Sequence, residues 1–351
     1  MEKLLRQPLK GLVFTAGSGV GAVGLWYLLT GLFSLDYGQG LLVFTVCFTF
    51  FWQIGWSFGG WPASKWTDSR LLKGVVNWLL LMLAVWGTLR LWGWFFHKPF
   101  EDTDVGLWAQ TTIIAGVTSL FFFGNELLLP PELAAEQPLA GATNFVWGAL
   151  FLPLAFVFLP KLVGGHAFYI PWIWFPVALV WMSYFGGWPF DRLGQPRAGI
   201  AYLGAVFATT LAFVAILHRA GIDFFGTGDA ALKGAIFGVT WTNVGIALAF
   251  LFNMWPIGKW PQPLKGITGT LGTVGVSLAI YAVLVGSFGS NLLGLLFGEF
   301  AFLWAEVTFV GPGLFNVWLW GYEDDPGGAG LELPDTAQPQ PAAALATDEV
   351  S

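Results

Sequence analysis

Apolar residues fall in long blocks separated by short polar or Gly/Pro-rich connections. Blocks of spanning length run roughly over 12–33, 41–60, 74–96, 106–125, 141–160, 168–187, 199–218, 231–254, 266–287 and 291–320. A bilayer-crossing helix needs about 20 mostly apolar residues. The pattern therefore predicts an all-α integral membrane protein with about ten transmembrane helices. The first block is longer than the apolar core of a secretory signal, about 7–15 residues, and reads as a retained first helix. Pro153, Pro171, Pro176 and the run Gly311-Pro312-Gly313 interrupt three blocks. Proline is tolerated inside bilayer helices when neighbours satisfy the freed carbonyl, so these positions read as kinks.

An internal repeat lies beneath the blocks. Gln7-Pro8-Leu9-Lys10-Gly11 recurs as Gln137-Pro138-Leu139-Ala140-Gly141, Gln195-Pro196-Arg197-Ala198-Gly199 and Gln262-Pro263-Leu264-Lys265-Gly266. A degenerate copy, Ser69-Arg70-Leu71-Leu72-Lys73-Gly74, fills the gap, and successive glycines are 63, 67, 58 and 67 residues apart. Each copy opens an odd-numbered block, with proline suited to a helix start, where no backbone donor is needed. Even-numbered blocks often finish at Trp-Pro: Trp61-Pro62, Trp188-Pro189 and Trp255-Pro256. The expected architecture is five parallel two-helix repeats starting near residues 7, 70, 137, 195 and 262. Each unit crosses twice, so the repeats relate by an axis along the membrane normal.

Composition agrees with a bilayer protein. Hydrophobic residues are 56% of the 351 and charged residues 10%, far below the roughly 25% of a soluble domain; the mean hydropathy is +0.68. That balance excludes a soluble enzyme or a nucleic-acid binder. The net charge of −6 is concentrated at one end: seven acids and no Lys or Arg follow Tyr322. Without them, 14 acids face 15 basic residues. Residues 1–321 thus read as a polytopic membrane domain and 322–351 as a disordered, acidic, Pro/Ala-rich tail that cannot build a core. Cys47 is the one cysteine, which excludes an internal disulfide, a cysteine zinc site and an iron–sulfur cluster.

Orientation follows from the basic residues. Lys3, Arg6, Lys10, Lys65, Arg70, Lys73, Arg192, Arg197, Lys259 and Lys265 flank the Gln-Pro side; Arg90, Lys98, Lys161, Arg219 and Lys233 flank the other. Positive residues favour the cytoplasmic side, so the Gln-Pro ends and both termini are expected in the cytoplasm.

Polar groups at bilayer depth are the candidates for chemistry, because burying one without a partner costs several kcal/mol. Glu299 and Glu306 are seven residues apart in the last block, nearly on one helical face and separated by about 10 Å at 1.5 Å per residue. They suit proton or cation coupling if they face a cavity, or helix locking if both are neutral. Asn125-Glu126 closes the fourth block, where an interfacial role competes with ion coupling. Asn77 and Asn144 each lie three residues after a repeat glycine, hence at matching depth. With Gln53, Asn243 and Asn253 they could line a polar cavity or form interhelical amide hydrogen bonds. His97, His166 and His218 fall near the outer ends of odd blocks. No close His pair or carboxylate-flanked His accompanies them, which favours interfacial anchors over a metal site.

No phosphate-binding loop of the Gly-x-x-x-x-Gly-Lys-Ser/Thr type occurs, nor His-Glu-x-x-His or Gly-x-Ser-x-Gly. No polar connection is long enough for an extramembrane catalytic domain. The expectation is a transporter or channel-like permease for a small solute, proton-coupled through Glu299 and Glu306, with no enzyme activity and no cofactor. Its partners are then the lipid bilayer, the solute or proton, and a cytoplasmic protein docked by the acidic tail. The alternative is a non-transporting membrane subunit that holds a cofactor or docks a partner protein.

Overall fold

The computed structural model describes residues 8–9, 11–13, 15–17, 20, 62–67, 69–99, 138–139, 141–143, 170–194, 196–222 and 229–292. Candidate spans 41–60 and 106–125, nearly all of 291–320, and the tail 322–351 lie outside the described residues.

Every regular element among the described residues is helical: α1 (Ala63–Trp66), α2 (Arg70–Phe96), α3 (Ile170–Leu179), α4 (Arg197–Arg219), α5 (Asp229–Ile246) and α6 (Leu264–Leu292). Among the described residues two stretches, Arg197–Arg219 and Leu264–Gly286, are long and apolar enough to cross a membrane. The predicted gap between the ninth and tenth blocks is helical, since α6 runs on to Leu292. No proline interrupts residues 264–292, so nothing in the backbone chemistry forces a stop there. Pro176 stands inside α3, so the helix does not end at that proline.

Burial separates the helices into two layers. Residues 176–179 of α3 and 236–241 of α5 are buried without interruption, so both helices are covered on all sides there. The helices α4 and α6 bury one stripe each. On α4 the stripe is Ala198, Gly199, Tyr202, Val206, Thr210, Val214 and Leu217. On α6 it is Gly266, Gly269, Thr273, Ser277 and Tyr281, at intervals of three and four. Their opposite faces expose Ile200, Phe207, Leu211 and Ile216 on α4, and Ile267, Leu271, Val276 and Val283 on α6. A third apolar stripe, Leu72, Val75, Leu79, Leu83, Trp86 and Leu91, is exposed on α2. The inner pair α3 and α5 is joined to the outer pair by ring contacts: Trp174 with Phe207, Phe213 with Trp241, and Phe237 with Tyr281.

The sixth and eighth blocks do not run helically to their Trp-Pro pairs. After α3 the chain widens into a π-helical turn, Val180–Tyr184, and after α5 into another, Ala247–Leu251. Phe185 and Phe252 follow in right-handed conformation. Next come two residues at positive φ: Gly186 and Gly187 in one segment, Asn253 and Met254 in the other. A cis Trp-Pro bond closes each turn, Trp188-Pro189 and Trp255-Pro256. The two segments are offset by 67 residues, as are Gly199 and Gly266. Glycine and asparagine enter the left-handed region at little cost, which accounts for three of those four residues.

At the other end of each connection the Gln-Pro prolines start helices in one manner. The carbonyls of Pro8, Pro138, Pro196 and Pro263 accept from the N–H groups of Leu12, Ala142, Ile200 and Ile267, at 2.9–3.1 Å. Pro196 stands at the N-cap of α4, one residue before the expected first-turn position. Its missing N–H costs nothing at either place.

Candidate functional site

Two clusters of described polar groups join separate elements: a seam between α5, α6 and the π-helical turn after α3, and a junction where the chain re-enters after α5. In the seam, Trp241 is fully buried and its Nε1 donates to Oγ1 of Thr273 at 3.1 Å. Thr273 directs its one proton toward the carbonyls of Gly269, at 2.9 Å, and Thr270, at 3.1 Å. One turn on, Ser277 donates to the Thr273 carbonyl at 2.6 Å. From the π-helical turn after α3, the fully buried Tyr184 donates through its hydroxyl to the Gly245 carbonyl at 3.2 Å. Gly245 and Gly269 make room for that ring: a Cβ on Gly245 would stand 3.2 Å from the Tyr184 hydroxyl, and one on Gly269 would stand 3.0 Å from Cδ2. Small residues let helices approach, and side-chain hydrogen bonds then join them.

At the junction, Gln262 faces the open end of the π-helical turn after α3. Its Nε2 donates to the carbonyls of Tyr184, at 2.7 Å, and Phe185, at 2.8 Å. Its Oε1 accepts from the N–H of Gly266 at 3.3 Å. One side chain thus serves two helix ends, taking up carbonyls that a C-terminus leaves open and a donor that an N-terminus leaves open. Four residues on, the Phe185 ring lies against Gly266: a Cβ there would come within 2.7 Å of Cγ and closer still to the ring edge.

The residues singled out from sequence are distributed differently. Asn77 is buried in α2, and its Oδ1 has no hydrogen-bond partner among the described residues. Asn243 is buried in α5, where its Nδ2 donates to the carbonyl of Val239 at 3.2 Å. Asn253 lies past the helix, half-buried at φ 50°, in the turn rather than within the eighth span. His97 terminates α2 in the left-handed conformation and is exposed; its N–H bonds to Trp94 and that of Lys98 to Gly93. His218 is exposed in the last turn of α4. Among the described residues no three His, Cys, Asp or Glu side chains gather to hold a metal ion. Glu299, Glu306, Asn125, Glu126, Gln53, Asn144 and His166 lie outside the described residues.

No family model, curated protein or solved structure matches this chain.

Sequence reading missed Gln262, Tyr184, Trp241 and Thr273. For Gln262 a signal was present: the glutamine recurs as faithfully as the proline, although a helix start alone does not need it. The others carry none, because aromatic and hydroxyl residues occur throughout the spans.

Proposed function

We propose that the chain is a multi-pass protein of the cell membrane, with ten helices in five parallel two-helix units and both termini cytoplasmic. In this reading it moves a small solute across the bilayer as a transporter or channel-like permease. The observation that carries the membrane part is the outward apolar stripes of α2, α4 and α6, set against a buried stripe of Gly, Thr, Ser and Tyr on α6. An apolar exterior over hydrogen-bonded polar contacts suits lipid as solvent, where each polar group needs an internal partner. The recurrence of one turn conformation after 67 residues supports the two-helix unit.

Transport itself is supported by the sequence: a near-neutral membrane body, short connections, and the paired carboxylates of Glu299 and Glu306. Ionisable residues in a membrane span are functional candidates by default, and two near one helical face suit proton coupling. Uptake of amino acids and other small solutes into proteoliposomes, with and without a pH gradient, tests the reading. Glu299→Gln and Glu306→Gln are expected to lose gradient-driven uptake while retaining solute exchange. Full gradient-driven uptake by both variants would remove the coupling role. Absence of uptake, together with a visible absorption band in the purified protein, would favour the cofactor-holding subunit instead.

A further inference from the structure

The junction between Phe185 and Gly266 occurs a second time, and its second occurrence joins residues far apart in the sequence, Gly11 and Phe252. A Cβ on Gly11 would stand 2.5 Å from Cδ1 and 2.6 Å from Cγ of Phe252, so the ring of Phe252 lies flat on the Gly11 backbone. Gly11 and Gly266 are the glycines of the first and fifth Gln-Pro-x-x-Gly starts. Phe185 and Phe252 are the residues that follow the two π-helical turns. The four residues therefore make one kind of contact twice: the phenylalanine ending an even helix seats on the glycine opening an odd one. The surroundings match as well, since Thr15 and Thr270, each four residues after its glycine, both donate to that glycine's carbonyl at 2.7 Å.

The step between partners is informative. Phe185 ends the third unit and meets the start of the fifth. Phe252 ends the fourth and, by the same step of two, calls for the start of a sixth. No sixth Gln-Pro start followed by an apolar span occurs in the sequence. The first unit's start occupies that place. A row of units that advances by two and returns from the fourth to the first is closed on itself.

We propose that the five units form a closed ring, sealed where the first helix docks through Gly11 onto Phe252. The even-numbered helices, of which α3 and α5 are the buried examples, then line the axis, and odd-numbered helices such as α4 and α6 form the lipid-facing shell. A closed ring encloses its own axis, so any pathway along it belongs to a single chain and needs no second copy. The closure goes beyond the transport reading and stands whether or not a solute moves.

Paired cysteines test it. In a Cys47→Ser background, Gly11→Cys with Phe252→Cys probes the seal, and Gly266→Cys with Phe185→Cys probes the junction between the third and fifth units. Disulfide formation needs Cβ atoms about 3.5–4.5 Å apart. After mild oxidation of purified protein, peptide mapping by mass spectrometry should find both linked pairs in monomeric protein. A linked internal pair without the Gly11–Phe252 pair would overturn the ring while leaving the junction intact. A link recovered only between two copies would overturn it as well. Should either cysteine pair fail to fold, a space-exchange cycle decides. Gly11→Ala alone should lower the melting temperature by several degrees, because the new methyl overlaps the ring. Adding Gly11→Ala to Phe252→Ala should cost little more, because the ring is gone. Strictly additive losses would show that the two residues do not meet.

Discussion

Gln262 lies 77 residues after Phe185, yet its side-chain amide donates to the Phe185 carbonyl at 2.8 Å. The same amide holds the Tyr184 carbonyl, and its oxygen caps the N–H of Gly266. Two helix ends that would otherwise each need separate partners are thereby tied through one side chain. At this fifth Gln-Pro-x-x-Gly start the motif acquires a physical division of labour. Glutamine takes up the carbonyls, proline opens the helix without losing a donor, and glycine leaves space for the phenylalanine.

Replacing Gln262 should therefore cost more than an exposed glutamine would. Leaving partly buried carbonyls without donors costs about 1–3 kcal/mol, so Gln262→Leu should lower the thermal unfolding temperature of the purified protein measurably. Gln262→Glu keeps an acceptor for Gly266 but, when ionised, turns a carboxylate toward two carbonyl oxygens, and should be at least as harmful. A Glu variant as stable as the parent would show that the amide protons contribute nothing.

Two glycines of α6 should respond oppositely to a methyl group. A Cβ on Gly266 meets the Phe185 ring, whereas a Cβ on Gly272 meets nothing within 4 Å. Overpacking costs about 1–3 kcal/mol, while glycine-to-alanine exchange inside a helix favours folding by about 0.5–1 kcal/mol. Gly266→Ala should lose stability, and Gly272→Ala should hold or gain it. Equal losses at both positions would refute the assignment of an outer and an inner face.

The bond from Trp241 to Thr273 is expected to be worth little by itself. Interhelical hydrogen bonds in membranes average about 0.6 kcal/mol. In a double-mutant cycle, Trp241→Phe and Thr273→Val should couple by about that amount, within a larger loss from each shape change. No measurable coupling would mean that Thr273 is held by the Gly269 and Thr270 carbonyls alone.

Topology and the tail can be checked on intact cells. With Cys47→Ala as background, an impermeant maleimide should label a cysteine at Asp102 from outside, but not at Lys65 or Ser351. Labelling of Ser351 from outside would overturn the orientation or the even number of crossings. Ending the chain after Asp325 removes a segment with no apolar periodicity, and expression and melting temperature should change little.

Helical class and approximate spans were legible in sequence because each span is a long local run of apolar residues, and such runs report solvent preference without tertiary context. Starts at Arg197 and Leu264 lie within two residues of the expected 199 and 266. The Gln-Pro spacing, too, is a one-dimensional property. Helix ends on the sixth and eighth blocks were not legible. Periodicity continues through Val180–Tyr184 and Ala247–Leu251, and only the hydrogen-bond register shows that the helix has widened.

Partners across the fold were decided by tertiary structure alone. Tyr184, Trp241 and Thr273 belong to residue types found throughout the spans, and their pairing depends on which faces α3, α5 and α6 turn inward. An apolar run records that a helix prefers lipid or protein to water. It does not record which side meets lipid, because a lipid tail and a leucine side chain are nearly the same solvent. Only close approach separates them, and it is visible where Gly266 admits Phe185 and Gly11 admits Phe252.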